Sequence, residues 1–200
     1  MPKIIGGSLN AHREQVRQRV FTALRNQLYE RGFDAITLAG VAAEAELGRT
    51  AMYNHFPDKE SLLVAFVEEE AAQYVRRLEA AVDAAADPVD QLAVFVRLQL
   101  RALAEYHLPP GSALATTLGP ASYRRIAAHA DPITQRLRTI LTDGMAAGRL
   151  PEEDPDLLIP MITSALASRQ IIDVPPEQLD AAIAGAVRFI LRAVGVKTGK

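Results

Sequence analysis

Two hundred residues, 49% apolar and 23% charged, suit a folded chain with room for a sizeable core, as one helical domain or as a small domain with a larger companion. The absence of cysteine excludes a disulfide scaffold, a thiolate metal site and a cysteine nucleophile together. Net charge is only −2, yet residues 1 to 59 hold eight Lys or Arg against six Asp or Glu, whereas residues 60 to 200 hold fourteen against eighteen, so a mild basic excess lies at the N-terminal end.

The N-terminal stretch has no apolar signal-peptide core, and no run approaches the length of apolar chain needed to span a bilayer. A cytoplasmic protein with no membrane partner is the expectation. In chain order, Val16, Val20, Leu24 and Leu28 recur every four residues beside Phe21 and predict a first helix from about Asn10 to Arg31, stopped by Gly32. Leu38, Val41, Ala42 and Ala45 fall at i, i+3, i+4 and i+7, one face of a short second helix capped by Thr37. After a turn at Glu46 and Leu47, with Gly48 as the cap, Met52 and Phe56 point inward from a third helix starting at Arg49. That leaves Arg49, Thr50, Tyr53 and Asn54 facing out: a cation, a hydroxyl, a phenol and a carboxamide, the inventory that major-groove reading and phosphate gripping require.

From Gly32 and Phe33 through Thr37, Leu38, Val41, Ala42 and Ala45 to Tyr53, Asn54, His55, Phe56, Lys59, Leu62 and Leu63, the chain resembles the tetracycline-repressor (TetR) family of bacterial transcription regulators. The resemblance implies an all-α fold of about nine helices: a three-helix helix-turn-helix DNA-binding domain, residues 1–57, followed by a larger ligand-binding and dimerisation domain, residues 58–200. His55 and Lys59 resemble family phosphate contacts, and Thr37 is a further candidate through its backbone N–H. Arg49 is a candidate base contact, because a guanidinium can donate twice to one guanine edge; a phosphate contact is the alternative. Tyr53 either packs on the sugar-phosphate backbone or supports Met52. One departure is that Glu46 occupies a turn position where the family usually has glycine. A left-handed backbone there carries a steric cost that glycine avoids, and the carboxylate sits close to where phosphates would run.

Asp58 reads as the cap of a long fourth helix to about Ala86, and Asp87-Pro88 opens a fifth to about Tyr106. A break from Leu108 to Gly119 precedes a short helix over Pro120 to His129. Asp131-Pro132 starts a further helix closing at Gly148, Asp154-Pro155 another to about Asp173 with Pro160 inside it, and Pro175-Pro176 the last, to about Val194. The last two are apolar around much of their circumference. Burial in the monomer is one reading; the other places Ile162, Leu166, Ile183, Val187 and Ile190 against a second copy in a four-helix bundle, which the family resemblance also implies. Two recognition helices one DNA turn apart would then read a palindromic operator.

Phe66, Tyr74, Phe95, Leu98, Tyr106, His107, Tyr123 and Met161 form an aromatic and thioether set that could line an apolar pocket for a small-molecule effector, with core packing the alternative for each. The four histidines lie in separate segments without carboxylate partners at ligand spacing, so no metal, no cofactor and no catalytic residue is expected, and the chain does not read as an enzyme. The expected function is a dimeric DNA-binding repressor released by a small apolar ligand. The alternatives are a helical small-molecule-binding or sequestering protein without operator function, and a ligand-independent regulator.

Overall fold

The computed structural model describes residues 7–32, 34–105, 118–168 and 171–196, and among them every regular element is a helix. In chain order these are α1 (Gly7–Arg31), α2 (Leu38–Glu44), α3 (Arg49–His55), α4 (Lys59–Asp83), α5 (Pro88–Glu105), α6 (Pro120–Ala127), α7 (Ala130–Ala146), α8 (Pro155–Leu166) and α9 (Pro176–Ala193). Side-chain caps begin several of them, as the sequence predicts. Thr37 Oγ1 accepts the Gly40 N–H at 3.0 Å, Asp58 Oδ1 accepts the Ser61 N–H at 2.6 Å, Asp87 Oδ1 the Val89 N–H at 2.8 Å and Asp154 Oδ1 the Asp156 N–H at 2.8 Å. Each satisfies an amide that the helix itself leaves open. At the other ends, Gly32 (φ 71) stops α1 and Gly148 (φ 66) follows α7, where the Arg149 N–H returns to the Gly144 carbonyl at 2.8 Å, a left-handed closure.

The chain divides into two compact units, one of Met1–Glu68 with His107–Ile126 and the other of Glu69–Tyr106 with Ala127–Lys200. In the first, Phe21 of α1 is the centre: its ring meets Phe66 edge-on at 5.5 Å and Phe56 at 6.1 Å between centroids. Val20, Leu24, Val41, Met52, Leu62 and Leu63 close around it, each almost wholly buried. Burying a side chain of this size contributes about 1.5–3 kcal/mol, so helices α1 to α3 and the start of α4 hold one another in place. Leu118 is buried in the same cluster, with Tyr123 and Ile126 of α6 packed against it.

The second unit is organised on α5, which packs against α7, α8 and α9. Leu92, Phe95, Val96 and Leu100 are completely buried there. Ile162, Leu166, Ile183, Val187 and Ile190, read in sequence as faces toward a second copy, are between 2 and 7% exposed; their side chains fill this unit's own core, because α8 and α9 turn those residues onto α5 and α7. The large apolar residues that α8 and α9 do present outward are Leu157, Met161 and Phe189. α8 also ends earlier than its apolar run suggested, at Leu166 with Ala167 as the cap. None of the described helices is long and apolar enough to cross a membrane.

Candidate nucleic-acid interface

The rotation of α3 about its own axis decides which of its side chains meet solvent. Met52 is 1% exposed and Phe56 6%, so these two anchors lie on the core side. Gly48, Arg49, Thr50, Tyr53, Asn54 and His55 are all exposed, as the sequence spacing requires. α3 starts at Arg49 with extended Gly48 as its cap. The preceding turn is made by Glu46 at φ 55, the one described non-glycine residue with positive φ, and its carboxylate is exposed. The glycine-type conformation is therefore adopted by a residue with a Cβ, at a steric cost of about 1–2 kcal/mol.

A hydrogen-bonded brace holds α2 against α1. Glu44 accepts from the Gln27 amide at 2.8 Å and from the Asn26 amide at 3.0 Å. These donors, Gln27 first, hold the Glu44 carboxyl below its ordinary range, since each favours the ionised form. The Lys59 ammonium donates to the Asp34 carbonyl oxygen at 3.3 Å, bridging the start of α4 to the loop before α2. Burial pushes its pKa down, while the Asp34 charge acts the other way. Thr37 is exposed with its hydroxyl committed to the α2 cap.

His55 lines a groove with Arg13, Glu14, Arg17 and Phe56, in which Arg17 lies over the Phe21 ring at 4.9 Å. Arg13 and Arg17, four residues apart on α1, thus extend the polar surface of α3 with cations that sequence reading left unassigned. Their i, i+4 spacing was visible; which face of α1 meets α3 was not.

The apolar set read as a ligand site is distributed differently. Phe66 and Phe95 are 1% and 0% exposed and fill the cores of the first and second units respectively. Tyr123 packs partly buried against the first core and Leu98 against the second. Tyr74 is buried in the second with its hydroxyl donating to Gln99 Oε1 at 2.7 Å. Met161 is 61% exposed on α8. Tyr106 and His107, with the Leu108 break as far as residue 117, lie outside the described residues.

A short helix pair whose second member offers cations, hydroxyls and amides outward, in one chain with a larger helical unit, defines the class of helix-turn-helix DNA-binding regulators. Residues 20–66 match the model of the tetR family of bacterial regulatory proteins, and residues 85–170 match that of the tetracyclin repressor-like C-terminal domain. The chain belongs to the TetR family of transcriptional regulators.

Solved structures agree. The TetR-family regulator PfmR from Thermus thermophilus is 26% identical with a TM-score of 0.70, over 87% of this chain and 97% of that one. RolR in complex with resorcinol is 27% identical with a TM-score of 0.59, over 94% of this chain and 91% of that one. The FadR regulator of Bacillus subtilis in complex with stearoyl-CoA shares the fold at 20% identity, with a TM-score of 0.72 over 90% of this chain and 99% of that one. Comparison with curated protein sequences finds no match to this chain.

Proposed function

We propose that this regulator is a cytoplasmic homodimeric repressor that binds a palindromic operator and is released from it by a small apolar ligand. The observation that carries the DNA-binding half is the outward row Arg49, Thr50, Tyr53 and Asn54 on α3, held in register by buried Met52. His55, Gly48, Thr37 and Lys59 contribute backbone-directed contacts, and Lys59 also fixes the loop before α2. The functional division falls at the start of α4, with residues 1–57 binding DNA and residues 58–200 serving ligand and dimer.

A dimer is supported by the outward Leu157, Met161 and Phe189 and by the apolar groove beside Phe189, lined by Ala165, Ile171, Ala182, Gly185 and Ala186. Small residues there let a second helix pair approach closely. Ile162, Leu166, Ile183, Val187 and Ile190 support that surface from behind. A two-fold axis would set two copies of α3 about 34 Å apart, one turn of DNA. Ligand control is supported by the resorcinol-bound and stearoyl-CoA-bound relatives. An effector that favours one conformation lowers operator affinity by its differential affinity for the two. Of the aromatic set, Tyr74, Phe95 and Leu98 share the core of the second unit and are the part of it proposed to meet a ligand there.

One observation favours a second reading, a small-molecule-binding protein without operator function: the Glu46 carboxylate, exposed in the turn leading into α3, repels phosphate. Selection from a genome-derived DNA library at near-physiological salt separates the two. Enrichment of a palindrome supports the repressor; retention of no sequence above background supports the second reading.

A further inference from the structure

Arg49 and Tyr53 stand four residues apart on the exposed side of α3, so their side chains share one face, one turn from each other. The guanidinium carbon of Arg49 lies over the Tyr53 ring, 5.8 Å from its centre, within the range of a cation–π contact. Tyr53 is 43% exposed, and its ring is therefore a wall of the outward surface more than a part of the core. Among the described residues no hydrogen bond or ion pair engages the Arg49 guanidinium.

Reading a guanine through O6 and N7 requires the planar guanidinium to lie in the plane of the base with two of its N–H donors aimed at those two acceptors. A solvated arginine with a long flexible stem visits that arrangement rarely. A ring beneath it restricts the stem before DNA arrives. A guanidinium that lies face-on to a ring keeps its edge, which carries all five donors, open to a base. We infer that Tyr53 is the positioning residue for base reading by Arg49, the two acting as one stacked unit directed at a guanine in the major groove. This rests on the DNA-binding reading above. The Tyr53 hydroxyl, at the far end of the ring, remains available for a phosphate, so ring and hydroxyl perform separable tasks.

The separation supplies the test. The full-length wild type is taken through library selection, and its preferred site is then measured against single-base changes for Tyr53→Phe, Tyr53→Leu, Arg49→Ala and the Arg49→Ala/Tyr53→Leu pair, with thermal unfolding confirming that each variant is folded. Arg49→Ala should relax the preference for guanine at one position of each half-site. Tyr53→Leu should weaken that same preference about three-fold, Tyr53→Phe should keep it, and Tyr53→Leu should add nothing in the Arg49→Ala background. A loss of affinity in Tyr53→Phe that is equal for all sequences reports the hydroxyl alone.

If Tyr53→Leu discriminates as the wild type does, or if Tyr53→Phe loses as much preference as Tyr53→Leu, the platform role is overturned while the regulator reading stands. The same holds if Arg49→Ala keeps full discrimination. A wild type that selects no sequence overturns the DNA-binding reading itself, and the platform with it.

Discussion

Glu60 on the first turn of α4 accepts a hydrogen bond from the backbone N–H of Gly119 at 3.0 Å, across 59 positions of sequence. Leu118, next to that amide, is buried among the residues that also pack α1 to α3, and Arg125 of α6 pairs with Glu68 further along α4 at 2.6 Å. The start of α6 therefore belongs to the same unit as the recognition helix. Its displacement would be felt at α4 through two carboxylates and a shared apolar cluster.

Replacing Glu60 by Ala leaves the Gly119 amide without its partner. We expect a loss of about 1–2 kcal/mol in unfolding free energy and faster hydrogen exchange at Gly119, measured by denaturant unfolding and by exchange with mass-spectrometric or NMR detection. Unchanged protection at Gly119 would show that the bond contributes nothing.

Glu46→Gly removes the Cβ from a residue at φ 55. Relief of the left-handed conformation outweighs the added freedom of the unfolded chain, and a net gain of about 1 kcal/mol is expected. Loss of the carboxylate should also tighten DNA binding for all sequences alike. Thermal unfolding and a salt titration of DNA binding check the two effects separately.

Phe189→Arg places a charge on the outward side of α9, where the native ring is 57% exposed. If that face forms the proposed dimer, the fold should persist while dimerisation is lost, so sedimentation should report a dimer for the native protein and a monomer with a near-native thermal midpoint for the variant. Leu166→Arg is the contrasting case. Leu166 is 4% exposed in the core of the second unit, and burying an unpaired charge there should cost about 4 kcal/mol or more and unfold the unit. A Phe189→Arg protein that stays dimeric would move the interface elsewhere.

Acid should destabilise the protein through identifiable groups. Gln27 and then Asn26 lower the Glu44 pKa; the Val89 N–H lowers that of Asp87, with Arg149 adding to it. Because both folded values lie below the unfolded ones, the unfolded chain holds more protons in the interval between them. Their stabilisation is complete above the unfolded values, about pH 4, and is lost as pH falls through the folded values. A Glu44→Gln/Asp87→Asn variant should therefore show a shallower fall of thermal midpoint on acidification below about pH 4 than the native protein does.

The helix-turn-helix was legible because its determinants are local. A cap at Thr37, an i, i+4 pair at Met52 and Phe56, and the Asp-Pro openings before α5 and α8 act over a few residues, within the reach of sequence spacing. Amphipathic periodicity likewise says which face of a helix is apolar. It does not say what covers that face, and Ile162, Leu166, Ile183, Val187 and Ile190 illustrate the gap: their apolar character was plain, whereas their partners are α5 and α7 of the same chain.

By itself, then, the sequence determined an all-helical regulator with a recognition helix beginning at Arg49 and the outward set Arg49, Thr50, Tyr53 and Asn54. Tertiary structure alone decided that Arg13 and Arg17 flank His55, that Lys59 bridges to Asp34, that Glu46 adopts a left-handed backbone, and that Leu157, Met161 and Phe189 are the large apolar residues left outward on α8 and α9. The physical reason is that helix formation and capping depend on neighbours within about one turn, whereas burial depends on how distant segments meet, and no spacing within one helix encodes the rotation of another against it.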